Sequence, residues 1–129
     1  MRAVDTNVVV RYLAGDGSGQ SARARALIDG GEVWLLLAVI LETEWVLRSS
    51  YRFSPAEIIA TFRTLAGQPT VSIENPAALA DALHLFEAGL DFADALHLCA
   101  TPDGVGFATF DRALIKRAVV LGLAQVEAA

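Results

Sequence analysis

At 129 residues the chain has the length of one domain, 1–129, long enough to bury roughly two-thirds of its unfolded surface. A formal charge of −5 and a pI of about 4.8 exclude a plain polycationic nucleic-acid binder; they leave a nuclease open, because a carboxylate-lined metal site is itself acidic. The single cysteine, Cys99, excludes an internal disulfide and fits a reducing compartment.

In chain order, Arg2 to Asp5 reads as a strand and Val8 to Leu13 as a short helix or turn. The run GDGSGQ, Gly15 to Gln20, is the clearest loop. Ser21 to Ile28 has helical composition, with Arg23 and Arg25 outward and Ala24, Leu27 and Ile28 inward, ended by Gly30-Gly31. Val33 to Leu36 suits a buried strand. Ala38 to Ser49 reads as a helix whose buried stripe holds Leu41 and Trp45, broadened by Ala38 and Val46. Ser54, Pro55 and Glu57 form a capping-box helix start, with Phe53 and Ile58 placed as a hydrophobic staple. That helix should run to about Leu65 and stop at Gly67. Thr70 to Ile73 reads as a strand, and Asn75-Pro76 opens a helix that ends near Gly89. Asp91 to Ala100 is a further helix, Gly106 to Thr109 a strand, Asp111 to about Val120 a helix, and Ala124 to Val126 a last strand. Strands alternating with helices imply an α/β domain with a parallel sheet and helices on both faces.

Several acids stand where such a domain binds ligands, at the carboxyl ends of strands. Asp5 interrupts an apolar strand; its alternative role is to cap the next helix, and Thr6 and Asn7 fit a local turn. Glu42 lies in an apolar helix on the face of Trp45 and Val46, a poor place for a solvated acid. Glu44 sits about 200° round from Glu42, four residues before Arg48, where a surface ion pair accounts for it. Asp91 and Asp94 share one face of a helix start, where capping and the helix dipole favour acids in any case. Asp111 repeats the position of Asp5, and Thr109 before it is either a strand residue or a hydroxyl that orients the acid.

Other chemistries lack support. His97 and His84 lie on separate helices and read as ordinary helix residues rather than ligands. Cys99 reads as a small core residue. No phosphate-binding glycine motif and no G-x-S-x-G elbow occurs. Carboxylates gathered together repel one another and call for protonation or a cation. Oxygen donors without a cysteine or histidine cluster favour a hard ion, Mg²⁺ or Mn²⁺.

The segments VDTNVVVRYL, LETEWVLRSSY, DFADAL and TFDRAL, in this order and spacing, resemble the PIN domain, and within it the toxin component of bacterial VapBC toxin–antitoxin pairs. The resemblance implies a three-layer α/β/α sandwich on a parallel sheet of about five strands in the order 3-2-1-4-5. It also implies a Mg²⁺- or Mn²⁺-dependent ribonuclease that leaves a 5′-phosphate and a 3′-hydroxyl. By position, the family's acidic set falls on Asp5, Glu42, Asp94 and Asp111, with Asp91 as an accessory acid and Asn7 and Thr109 as residues that orient them. Glu44 departs from the family, which usually has an apolar residue there.

Arg11, Arg112, Lys116 and Arg117 are candidates to meet an RNA backbone, their alternative being ordinary solvated charge. A mean hydropathy of +0.46 points to apolar surface covered by another chain, and Trp45, Tyr51 and Phe53 near one helix end mark a homodimer or partner surface. The resemblance implies both a homodimer and a cognate antitoxin. No charged-then-apolar leader opens the sequence and no apolar run reaches about eighteen residues, so a cytoplasmic protein without a membrane span is expected. Two rival functions remain: a catalytically silent interaction domain, and an aspartyl phosphotransferase with Asp5 as nucleophile. The second usually needs another acid two residues on, where this chain has Asn7.

Overall fold

The first turn of any helix leaves backbone N–H groups without partners inside the helix. In this chain a short polar side chain accepts one of these N–H groups at six helix starts. The computed structural model describes residues 1–15 and 17–129. Among the described residues there are seven helices: α1 (Thr6–Leu13), α2 (Gly19–Gly30), α3 (Leu37–Ser49), α4 (Pro55–Ala66), α5 (Pro76–Glu87), α6 (Phe92–Ala100) and α7 (Arg112–Leu121). The side chains of Asp5, Ser18, Ser54, Asn75, Asp91 and Asp111 each accept a backbone N–H from the residue three further on. Ser54 and Glu57 complete the expected capping box. Ile58 is buried, and Phe53 packs against the same core. The loop expected over 15–20 is shorter than its glycines imply, because α2 begins at Gly19; Asp16 of that loop lies outside the described residues.

α3 is capped differently. Leu36 precedes it and has no side-chain acceptor. The Leu37 N–H instead donates to Oε1 of Glu74 at 2.8 Å, from just beyond the third strand. A distant residue therefore fixes where this helix starts.

The strands are short: β1 (Arg2–Ala3), β2 (Val33–Leu35), β3 (Val71–Ile73), β4 (Phe107–Thr109) and β5 (Val126–Ala128). All pairings are parallel, with Ala3 beside Trp34, Leu35 beside Ile73, and Phe107 beside Val126. The order runs 3-2-1 in one sheet and 4-5 in another. The expected order 3-2-1-4-5 is therefore met within each part, and no ladder joins β1 to β4 among the described residues. β1 stops after two residues because Val4 and Asp5 already turn into α1, leaving few backbone groups for a second partner. The last strand begins two residues later than its apolar run predicts. Gly122 adopts the left-handed conformation (φ 71°), and the Leu123 N–H turns back to the Ala118 carbonyl at 2.9 Å. Residues 123–125 are used by that turn.

The core gathers Val9, Ile28, Leu35, Ile40, Leu47 and Phe62 among its fully buried members. Phe92 lies at its aromatic centre, with ring centroids 5.7 Å from Phe62 and 5.6 Å from Phe86. These rings come from α4, α5 and α6, so the start of α6 is anchored on both of its neighbours.

α3 is rotated from the expected face. Ile40, Thr43, Glu44 and Leu47 point inward, while Trp45 is 58% exposed and Glu42 is exposed. The helix is apolar almost all round, so spacing alone did not identify its inner face. Burial of Glu44 (2% exposed) is made possible by Arg48, whose Nε donates to Glu44 Oε2 at 2.8 Å. The Glu44–Arg48 pair is thus present, but its acid is not a surface group. Glu44→Gln, which leaves Arg48 without its anion, is expected to be more destabilising than Glu42→Gln. Removing the distant cap with Glu74→Ala should cost about 1 kcal/mol, read as a lower urea midpoint at unchanged slope; an unchanged midpoint would mean that water caps Leu37 equally well.

Candidate active site

Two acids occupy matching places. Asp5 lies two residues beyond the end of β1 at Ala3, and Asp111 two residues beyond the end of β4 at Thr109. Each is the N-cap of the helix that follows. Asp5 Oδ1 accepts from the Val8 N–H at 3.2 Å, and Asp111 Oδ1 from the Leu114 N–H at 3.1 Å. Asp91 does the same for α6 through the Asp94 N–H at 3.3 Å. Asparagine caps a helix about as well as aspartate, so capping alone does not call for a charge at these positions. Each cap uses one carboxylate oxygen and leaves the other free of any intramolecular hydrogen bond among the described residues.

Asp94 caps nothing. It is half-buried in the first turn of α6, and its carboxyl is held above the usual range. Burial is the main cause, followed by the charges of Asp91 and Asp111, with His97 partly opposing them. Asp91, Asp94 and Asp111 therefore share one electrostatic neighbourhood. His97 acts there as a nearby partial counter-charge.

Asp5 and Glu42 line a second groove with Thr6 and Asn7. Thr6 donates its hydroxyl to Oε1 of Glu42, fixing that carboxylate from the first turn of α1. Sequence spacing gave Thr6 only a turn role, since nothing local pairs position 6 with position 42. Asn7 faces the groove without making that bond. A third groove carries Glu42 and Asp91 on the same wall as Trp45 and Ala93. Glu42 thus shares one groove with Asp5 and another with Asp91. Thr109 is both a strand residue and a positioning hydroxyl: its Oγ1 accepts the Asp111 N–H at 3.0 Å, setting the turn rather than touching the carboxylate.

The candidate cations divide. Arg11 lines a groove beside Asp5. Arg112 and Lys116 are exposed on α7. Arg117 has a structural contact, donating to the Gly89 carbonyl at 3.4 Å. Burial raises the Cys99 thiol to about 11, with Asp81 adding to the effect, which makes it a poor nucleophile near neutral pH.

The donor chemistry fits a hard divalent ion: oxygen donors only, and a neighbourhood where like charges crowd Asp94. The spacing is open. Among the described residues no three acid, histidine or cysteine side chains are close enough to share one ion. Asp5, Glu42 and Asp91 border a joined set of grooves; Asp94 and Asp111 line none of these and are linked to Asp91 through the charges that act on Asp94.

Parallel strands, helices capped by carboxylates, and acids just past the strand ends define an α/β domain. The family model of the PIN domain matches residues 2–120, and the chain belongs to that family, whose members are commonly metal-dependent nucleases. No curated protein and no solved structure matches it. No helix among the described residues is long and apolar enough to cross a membrane.

Asp94 yields a pH prediction. Its carboxyl is raised in the fold, so the ionised form destabilises the folded state. That penalty is fully present above the raised value. It disappears as pH falls through that value toward the ordinary carboxylate pKa of about 3.9. In metal-free buffer Asp94→Asn should therefore melt a few degrees higher than wild type at pH 7, with the gain shrinking toward pH 4. A lower melting temperature at pH 7 would contradict the crowding.

Proposed function

We propose that this chain is a metal-dependent endoribonuclease, the toxin of a VapBC-type pair. The carrying observation is the carboxylate neighbourhood of Asp91, Asp94 and Asp111 in a PIN-family chain. Asp5, Glu42, Asp94 and Asp111 would hold Mg²⁺ or Mn²⁺, with Asp91 accessory. A bound ion of this kind supplies an activated water and neutralises charge on the phosphate. Thr6 keeps Glu42 turned into its groove, and Thr109 sets the turn that presents Asp111. One of these carboxylates accepts the proton of the attacking water. Water oxygen bonds to phosphorus as the bond to the 3′-oxygen breaks, leaving a 5′-phosphate and a 3′-hydroxyl. Arg11, Arg112 and Lys116 are the proposed backbone contacts.

The exposed apolar side chains support partner binding. Trp45 and Tyr51 are exposed near one end of α3, and Phe110 beside Asp111 is 87% exposed. A homodimer and a cognate antitoxin are the proposed partners, in the cytoplasm. The open spacing of the acids favours one rival, a PIN-family domain that binds partners without catalysis.

Cleavage of a labelled structured RNA separates the two readings. Wild type should cut with Mg²⁺ or Mn²⁺ and stop in EDTA. Asp5→Asn preserves the cap while removing the charge; it and Asp94→Asn should each lower kcat/KM by about 100-fold or more. If wild type neither cuts nor binds Mn²⁺ by calorimetry, the silent reading stands. Thr6→Val should weaken Mn²⁺ binding roughly tenfold or more, as expected for loss of a residue that orients a ligand. Unchanged affinity would remove Thr6 from the site.

A further inference from the structure

The grooves on the two sides of Asp5 and Asn7 differ in charge. On one side lies Glu42. On the other, between α1 and α2, a cavity of about 290 Å³ carries Arg11 and Arg23. Its floor is apolar, from Val8, Ala24 and Leu27, and Gln20 stands at its wall. Asp5 and Asn7 border both grooves.

The walls of this cavity are fixed by bonds between elements. The Tyr12 hydroxyl donates to Asp29 Oδ1 at 2.6 Å, tying α1 to α2. The Thr70 hydroxyl donates to the Ile28 carbonyl at 2.6 Å, tying α2 to the segment entering β3. The volume lies near the lower end of small-ligand sites, roughly 300–1,000 Å³, which suits one nucleotide unit and not a duplex.

We infer that the α1–α2 cavity is a nucleotide subsite for single-stranded RNA, with Arg23 as its principal phosphate contact. This rests on the nuclease reading for the identity of the strand. The strand crosses the Asp5–Asn7 divide, with its scissile phosphate toward the carboxylates and the adjoining nucleotide in the cavity. The Arg23 guanidinium meets the phosphate of that nucleotide. The apolar floor takes the face of its base or sugar, and the Gln20 amide offers both a donor and an acceptor to a base edge. The fit is one of charge: the phosphate of the adjoining nucleotide is attracted on the Arg23 side, while a phosphate beside Asp5 and Glu42 calls for a bound cation.

The test uses the full chain and a short fluorescein-labelled single-stranded RNA of mixed sequence. Anisotropy in EDTA over a range of salt gives affinity without cleavage. Arg25, two residues from Arg23 and outside the cavity, is the matched control, since both arginines are exposed on α2. Arg23→Ala should weaken binding by about fivefold or more and reduce the salt slope by about one. Arg23→Lys should recover most of the loss, and Arg25→Ala should stay within about twofold of wild type. Equal losses in Arg23→Ala and Arg25→Ala, or none in Arg23→Ala, overturn the subsite. Cutting of the same RNA with Mn²⁺ separates this inference from the reading beneath it. If wild type cuts and Arg23→Ala shows an unchanged KM, the subsite falls and the nuclease stands. If wild type binds through Arg23 without cutting, the subsite stands and the nuclease falls. A wild type that neither binds nor cuts overturns both.

Discussion

Backbone N–H groups at a helix start need acceptors, and carboxylates supply them at Asp5, Asp91 and Asp111. That local requirement also places the acids. Each cap holds one carboxylate oxygen against the start of its helix. Asp94 is the exception. With no cap to make, it is raised first by its burial and then by the charges of Asp91 and Asp111, which His97 only partly opposes. The site is thus built from groups that stabilise helix ends, arranged round one that does not.

Local chemistry was readable from the sequence. The Ser54–Glu57 box, the Asn75-Pro76 start and the Gly67 stop all depend on neighbours within a turn, and all are present. The positions of Asp5 and Asp111 past their strands were readable for the same reason. What depends on tertiary approach was not readable. The Thr6–Glu42 bond and the Glu74 cap join residues 36 and 37 positions apart. The rotation of α3 was hidden because Val39, Ile40, Leu41, Val46 and Leu47 leave no polar stripe to mark the outside. The types of acid were plain, but their mutual spacing depends on how separate elements pack, which no residue pattern encodes.

The buried Glu44 shows how charge and packing decide orientation together. An unpaired carboxylate in that position would oppose folding strongly. Two-point contact with Arg48, at 2.8 and 3.5 Å, removes much of that penalty, and the guanidinium is held more firmly charged chiefly by the same bond. With Glu44 inward, helix geometry turns Glu42 and Trp45 outward. The burial of the acid at position 44 and the exposure of the acid at position 42 are therefore aspects of one rotation.

The Glu74 cap bears on the order in which the molecule assembles. α3 follows β2 directly, yet the acceptor for its first turn arrives only after α4 and β3 have been laid down. Closing a loop of that length costs chain entropy before the contact can form. A chain synthesised as far as Ile73 contains the whole of α3 and lacks the residue that secures its start. Glu42 would sit on an unsecured helix until the third strand was in place, so the acid-lined edge matures late in synthesis even though its first carboxylate, Asp5, is among the earliest residues made.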